Sequence, residues 1–503
     1  MHRQLPLIIF PLLKLVVHLA SYRGYGMFRD EFYYLACSHH LAWGYVDQPP
    51  LSIFVLWVTR LLLGDSLFAV RLVPALAGAA TVLVAGLITR RLGGGKGAQS
   101  LAMVAVIAAP VYLSLNHFYS MNALDILVWA LAAYLLVNLL QRNDPRLWIL
   151  LGTVLGIGLM NKISVLWLGF GLAVGLLATD RRRLLLTRGP WITGGIAAAF
   201  LAPYLLWQMK NDWPTVEFIR NATQNKMVAV APLAFLEGQI TTMNAVAFPL
   251  WITGLGWLLF ARAGRPFRLL GIVYLAVFAL LVANGTSRSG YLSPAYTWLL
   301  PAGAVAAERW LSRWRAVPLW SYAALIAIGG VLFAPFALPV LPVERYISYA
   351  ARAGVGPSTA ERKELAELPQ FYADMHGWEA IVETVAGVYH SLPPGDREKA
   401  AIFTFNYGDA GAIDYLGRAH GLPKAIGGHN NYWLWGPRNY TGEVVLVMGE
   451  ERKDVEQSFE HVELGAVIDC GRCMPYENGR SIWIARGLRG TLTERWAQLK
   501  HYN

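Results

Sequence analysis

The chain has 503 residues, 55% of them hydrophobic and only 15% charged, with a mean hydropathy of +0.40. No ordinary water-soluble enzyme of this length carries that balance, so this class is excluded. The formal net charge of +11 sits in clusters between apolar runs rather than in one stripe, which argues against a nucleic-acid partner and for a membrane protein with basic inner loops.

The first apolar run, Leu5 to Ala20, follows Met1-His2-Arg3 and lacks a small-residue cleavage pattern, so it reads as a retained first span. Residues 22–65 form a long, polar and aromatic outer loop with a half-length interfacial helix at Leu51 to Leu63. A bilayer core of about 30 Å needs roughly 20 apolar residues per crossing. Further spans are therefore predicted near 66–89, 99–115, 123–140, 190–208, 244–261, 268–284, 292–307 and 317–340. Leu147 to Thr179, about 33 residues, is too short for two full crossings and reads as a broken hairpin turning at Asn161-Lys162. The Lys162 ammonium then points into a site, or snorkels or pairs for structural reasons alone.

Basic residues sort the loops. Arg90, Arg91, Lys96, Arg142, Arg146, Arg181 to Arg183, Arg188, Arg262, Arg265, Arg268, Arg309, Arg313 and Arg315 fall on one side, read as cytoplasmic. Asn116 to Asn122, Met209 to roughly Thr242, and Asn284 to Tyr291 fall on the other. After Pro339 and Pro342 the composition changes, so the chain divides into a membrane domain, 1–342, and a soluble α/β domain, 343–503, on the outer side. In the latter, helices are predicted at Gly377 to His390 and Asp409 to His420, and strands at Ala400 to Phe405, Glu443 to Met448, Ala466 to Asp469 and Ser481 to Ala485. Three cysteines cannot form a disulfide framework. Cys470 and Cys473 are placed as a local disulfide, ahead of two idle thiols or a metal pair, because no strand-to-helix junction marks a redox motif.

Chemistry concentrates in the first outer loop: Phe28-Arg29-Asp30-Glu31-Phe32-Tyr33-Tyr34, then His39-His40, then Trp43-Gly44-Tyr45-Val46-Asp47-Gln48-Pro49-Pro50-Leu51. An adjacent Asp-Glu pair is usually a solvated surface. Here it lies at the mouth of a membrane domain, beside Asp47 on a Pro-stiffened loop, and with Asp125 a few residues inside a span, where a structural acid is costly. Neighbouring histidines on a helix point about 100° apart, so His39-His40 favours interfacial hydrogen bonding over a metal half-site. Trp43 and Tyr45 read as headgroup anchors or sugar platforms, and His429 to Trp435 as an aromatic acceptor surface or a strand packed against the membrane domain.

This order of motifs resembles the GT-C glycosyltransferases, and within them the polyprenyl-phosphate-sugar group: protein O-mannosyltransferases and the aminoarabinose transferases that modify lipid A. The likeness runs over roughly residues 20–310 and includes Ser289-Gly290-Tyr291-Leu292-Ser293-Pro294. It implies an α-helical multi-pass fold of about 11 membrane helices, the short broken hairpin included, with a C-terminal exoplasmic α/β domain. It implies an inverting transfer from a polyprenyl-monophosphate donor to a lipid, glycan or protein hydroxyl at the outer face of the cell inner membrane. By that likeness Asp30 is the general base and Glu31 orients it or touches the sugar. Asp47 and Asp125 shape the donor pocket, Asp47 also being the candidate contact for a divalent metal ion. Gln48 and Tyr33 stand where the aminoarabinose transferases carry Lys and Arg. Lys162, then Arg288, then Arg29 and His39 or His40 are the candidate replacements for those two phosphate-binding cations, with Tyr291 beside them.

The rival reading is a transporter or flippase for a lipid-linked glycan. Paired repeats with matching interruptions mark such proteins, and only one broken hairpin occurs here, with its acids at the outer mouth.

Overall fold

A computed structural model describes residues 4–142, 144–311 and 317–503. Met1 to Arg3, Arg313 and Arg315 lie outside the described residues. Five helices are long and apolar enough to cross a membrane alone: Leu67–Arg91, Met121–Gln141, Arg188–Lys210, Arg265–Asn284 and Val317–Phe336. Pro232–Thr242 and Ala245–Phe260 make a sixth if taken as one span, bent by 98°. Shorter apolar helices are Pro6–Ser21, Leu51–Leu63, Lys96–Ile107, Arg146–Asn161 and Val165–Leu177, and Tyr296–Leu311 is buried among the long ones.

Local sequence explains where the helices break. The predicted span 99–115 ends at Ile107 because Pro110 disfavours a helical residue before it, and a short helix, Pro110–Leu115, follows. The predicted span 244–261 begins only at Phe248, since Asn244 has a left-handed φ of 70° and turns the chain. The span placed at 292–307 starts at Tyr296, after a 3-10 turn over Ser289–Ala295. The hairpin breaks at the residues expected, with Lys162 extended, and the Asn161 carboxamide donates to the Met121 carbonyl at 2.8 Å.

The basic loops gather at one end. Gly95 N–H donates to Glu308, the Gln141 amide to the Arg91 carbonyl, and Arg181 to the Pro266 carbonyl, while Arg265 pairs with Asp180. Arg71 lies near the opposite end of Leu67–Arg91, about 28 Å along that helix from Arg90.

Residues 400–488 contain a five-stranded sheet: β1 (Ala400–Thr404), β2 (Ile426–Gly427), β3 (Val444–Met448), β4 (Phe459–Val467) and β5 (Ser481–Leu488), in the order β2-β1-β3-β5-β4. The β1 strand runs parallel to β2 and β3, while β5 runs antiparallel to β3 and β4. Strand β4 starts seven residues before the predicted Ala466 because it pairs along the whole of β5, from Phe459 opposite Leu488 to Val467 opposite Ser481. Helix Tyr407–Leu416 ends before His420, where a 3-10 turn takes over. One apolar cluster joins Phe32, Leu35 and Ile53 of the opening loop to Trp378, Ile402, Ala410 and Leu446, so this sheet region and the membrane bundle share a core.

Candidate active site

The helix Arg29–Ser38 carries the opening acids. Its start lacks a capping hydroxyl, and the Glu31 carboxylate supplies the missing acceptor, taking the Phe28 N–H at 2.8 Å. The same carboxylate takes Arg71 Nε at 3.0 Å and Nη2 at 2.7 Å, and the Tyr119 N–H at 2.9 Å. Glu31 is fully buried with all its partners inside the protein. Its contacts therefore fix the start of the helix that carries Asp30. Asp30 is one-third exposed. Its Oδ1 accepts from Tyr407 Oη at 2.9 Å and from Arg29 Nε at 3.4 Å, while Oδ2 has no partner among the described residues.

Behind Asp30, the Tyr33 hydroxyl lies 3.0 Å from Asp47 Oδ1 and 2.9 Å from Asn431 Oδ1, and that Asn431 oxygen also takes the Val46 N–H. Burial pushes the Asp47 carboxyl up to about 6, against the Tyr33 hydrogen bond. Gln48 is fully buried, and neither of its amide atoms has a partner among the described residues, a costly state for a polar group. Among the described residues no set of His, Cys, Asp or Glu is arranged to hold a metal ion, and the side chain that Asp47 hydrogen-bonds is the Tyr33 hydroxyl.

Three cations lie within electrostatic reach of Asp30: Arg29, Lys226 and Arg288. Arg29 reaches Asp374 at 3.4 Å and Tyr476 at 3.2 Å. Lys226 and Arg288 share one carboxylate, Glu361, at 3.7 and 2.9 Å. Burial works against that carboxylate, yet Lys226, Arg29 and Arg288 hold it down at about 2. Glu361 lies in an irregular stretch, 355–369, which pairs with residues 226–228 through Arg362 N–H to the Lys226 carbonyl and Val228 N–H to the Ala360 carbonyl. Lys162, the leading candidate cation, is engaged elsewhere. Its ammonium donates to Asn122 Oδ1 at 2.8 Å and lies 3.5 Å from Asp125, whose other contact is the Ser164 hydroxyl at 3.0 Å. Tyr291 links the two groups, its ring 5.6 Å from the Lys162 ammonium and its N–H bonded to the Arg288 carbonyl.

His39 is outside this assembly. Its Nε2 faces Arg60 at 2.8 Å and Arg418 at 2.7 Å, and burial with those guanidiniums holds it down at about 4, so it serves as a neutral acceptor. His40 stacks on Trp435, Tyr45 braces the turn from His40, and Trp43 is exposed. Cys470 and Cys473 form a disulfide. The residues unforeseen from sequence are Arg71, Lys226, Glu361 and Tyr407, whereas Asn431 belongs to the aromatic cluster singled out above. A basic residue in an outer segment was the one available signal for Lys226; the others have none without the fold.

Residues 47–207 match the family model of the dolichyl-phosphate-mannose-protein mannosyltransferases. The lipid A galacturonosyltransferase RgtD of Rhizobium johnstonii is 23% identical over 285 residues, which are 56% of this chain and 60% of that relative. The match thus spans less than two thirds of the relative's length. Among solved structures, ArnT from Cupriavidus metallidurans bound to undecaprenyl phosphate aligns over 95% of this chain and 97% of its own, with a TM-score of 0.64 and 15% identity. The oligosaccharyltransferase AglB from Archaeoglobus fulgidus, in complex with an inhibitory peptide and a dolichol-phosphate, aligns over 84% and 64%, with a TM-score of 0.52 and 14% identity. The chain therefore shares its fold with these two solved structures.

Proposed function

We propose that this protein is a membrane glycosyltransferase that moves a sugar from a polyprenyl-monophosphate donor to an acceptor hydroxyl at the outer face of the cell inner membrane. The observation that carries this reading is Asp30, with one carboxylate oxygen held and the other unpartnered, beside Arg29, Lys226 and Arg288. In the reaction, Asp30 Oδ2 takes the acceptor proton as the acceptor oxygen bonds the anomeric carbon. The bond from that carbon to the phosphate oxygen breaks on the opposite face, with inversion, and its electron pair leaves on the polyprenyl phosphate. Lys226 and Arg288 stabilise that leaving anion. Gln48, with its unpaired buried amide, Tyr33 and Asp47 line the donor side, and Asp125, Lys162 and Tyr291 form its deeper wall.

In this reading Pro6–Ser21, Lys96–Ile107, Arg146–Asn161, Val165–Leu177 and Tyr296–Leu311 join the long spans to give about 11 membrane helices. Residues 343–503 form an exoplasmic domain. The acceptor is an envelope lipid, glycan or protein. Gathering of the polar groups at one mouth, rather than along a path through the bundle, favours transfer over transport. The test is purified protein given a radiolabelled polyprenyl-phosphate sugar and an extract of envelope acceptors. Asp30→Asn is expected to lower transfer by about 10²- to 10⁴-fold, and transfer at the wild-type rate would refute the assignment of the base.

A further inference from the structure

We infer that Tyr407, from the C-terminal half of the chain, is the positioning residue that completes Asp30. This rests on the reading of Asp30 as the base. The Tyr407 hydroxyl donates to Asp30 Oδ1 at 2.9 Å. Burial keeps that hydroxyl protonated, so it acts as a donor. A carboxylate free to rotate offers either oxygen, whereas one with Oδ1 occupied presents Oδ2 in a single direction.

The rest of the contact exists to bring this hydroxyl in. Asn406 Oδ1 caps the helix Tyr407–Leu416 by accepting the Gly408 N–H at 2.7 Å, which sets Tyr407 at its first position. The Tyr407 N–H reaches His429 Nδ1 at 3.3 Å, and its ring packs on Tyr33 with centroids 4.7 Å apart. Gly408 and Gly411 sit one turn apart on the face turned to Arg29–Ser38. A Cβ at Gly408 would come within 2.5 Å of Arg29 Cγ, and one at Gly411 within 2.8 Å of the Phe32 carbonyl carbon. The two backbones therefore approach only because these positions lack side chains. The transfer site is thus assembled from both halves of the chain, and the sheet region contributes more than a cover.

The charged groups around Asp30 are Arg29 on its own helix, Lys226 and Arg288 with their shared Glu361, Asp47 from the opening loop, and Asp374. Tyr407→Phe leaves all of them in place and removes one donor. Because a hydrogen bond to a carboxylate favours its ionised form, the variant is expected to move the acid limb of the kcat profile to higher pH by roughly half to one unit. The plateau kcat should fall about tenfold, with the KM for the polyprenyl-phosphate sugar unchanged. A general loss of structure would change KM and the amount of folded protein without moving the limb. Should the variant fail to fold, 2,3-difluorotyrosine at position 407, a stronger donor of the same shape, is expected to move the limb to lower pH. Tyr407→Phe matching wild type in limb and plateau while Asp30→Asn is inactive would overturn the role of Tyr407 and leave the base standing. An active Asp30→Asn would instead remove the reading beneath it.

Discussion

Glu31 and Arg71 illustrate what a buried ion pair does at a site it does not enter. Four donors converge on one carboxylate that is fully shielded from water, so losing either partner strands a charge in the interior. Arg71→Ala is expected to destabilise the protein by about 3–5 kcal/mol, read as a lower thermal midpoint in detergent, and a variant melting with wild type would show that the pair is dispensable. Asp47 gives the opposite sign. Its carboxyl rises from 3.8 to about 6 on folding, so between those values the native state binds more protons than the unfolded chain. Stability is therefore expected to fall as pH rises through that window, by about 3 kcal/mol. Asp47→Asn should flatten this slope in melting curves taken from pH 4 to pH 7.

At the scale of elements, the irregular stretch 355–369 lays a carboxylate on two cations that the proposed donor phosphate needs. Held at about 2, Glu361 stays ionised at every working pH, so acid does not release it. Glu361→Gln is expected to lower the KM for the polyprenyl-phosphate sugar by about three- to tenfold, since the phosphate no longer competes with an internal anion. Lys226→Gln should raise it by about tenfold or more. If both variants raise KM alike, Glu361 holds the cations in place rather than standing where the phosphate goes. The helix breaks at Pro110, Lys162 and Asn244 are a second effect at this scale: each ends a span short and turns polar backbone toward the interior, where side chains such as Asn161 satisfy it.

At the scale of the molecule, the basic loops and the acid cluster occupy opposite ends of the bundle, and the sheet region shares an apolar core with the opening loop at the acid end. With the proposed orientation, a phosphatase fused after Asn503 is expected to be active in the exoplasmic space, and one inserted in the loop at Arg181 to Arg183 inactive there. The reverse pattern would place Asp30 in the cytosol and remove the outer-leaflet donor.

By itself the sequence determined the apolar, helix-rich class, the helix break at Asn161-Lys162, and the strands at Ala400–Thr404, Val444–Met448 and Ser481–Leu488. Those features are written in local signals: apolar run length, the residue before a proline, and alternating burial. The extent of two spans did not follow, because Pro110 and Asn244 shorten helices that composition alone draws as continuous. The tertiary structure decided the partners. It turned Glu31 inward to Arg71, bound Lys162 to Asp125 and Asn122, gathered Lys226 and Arg288 around Glu361, and brought Tyr407 across 377 positions of sequence to Asp30. The reason is physical: a charge is assigned its role by the groups that surround it after packing, and those neighbours come from segments far apart in the chain.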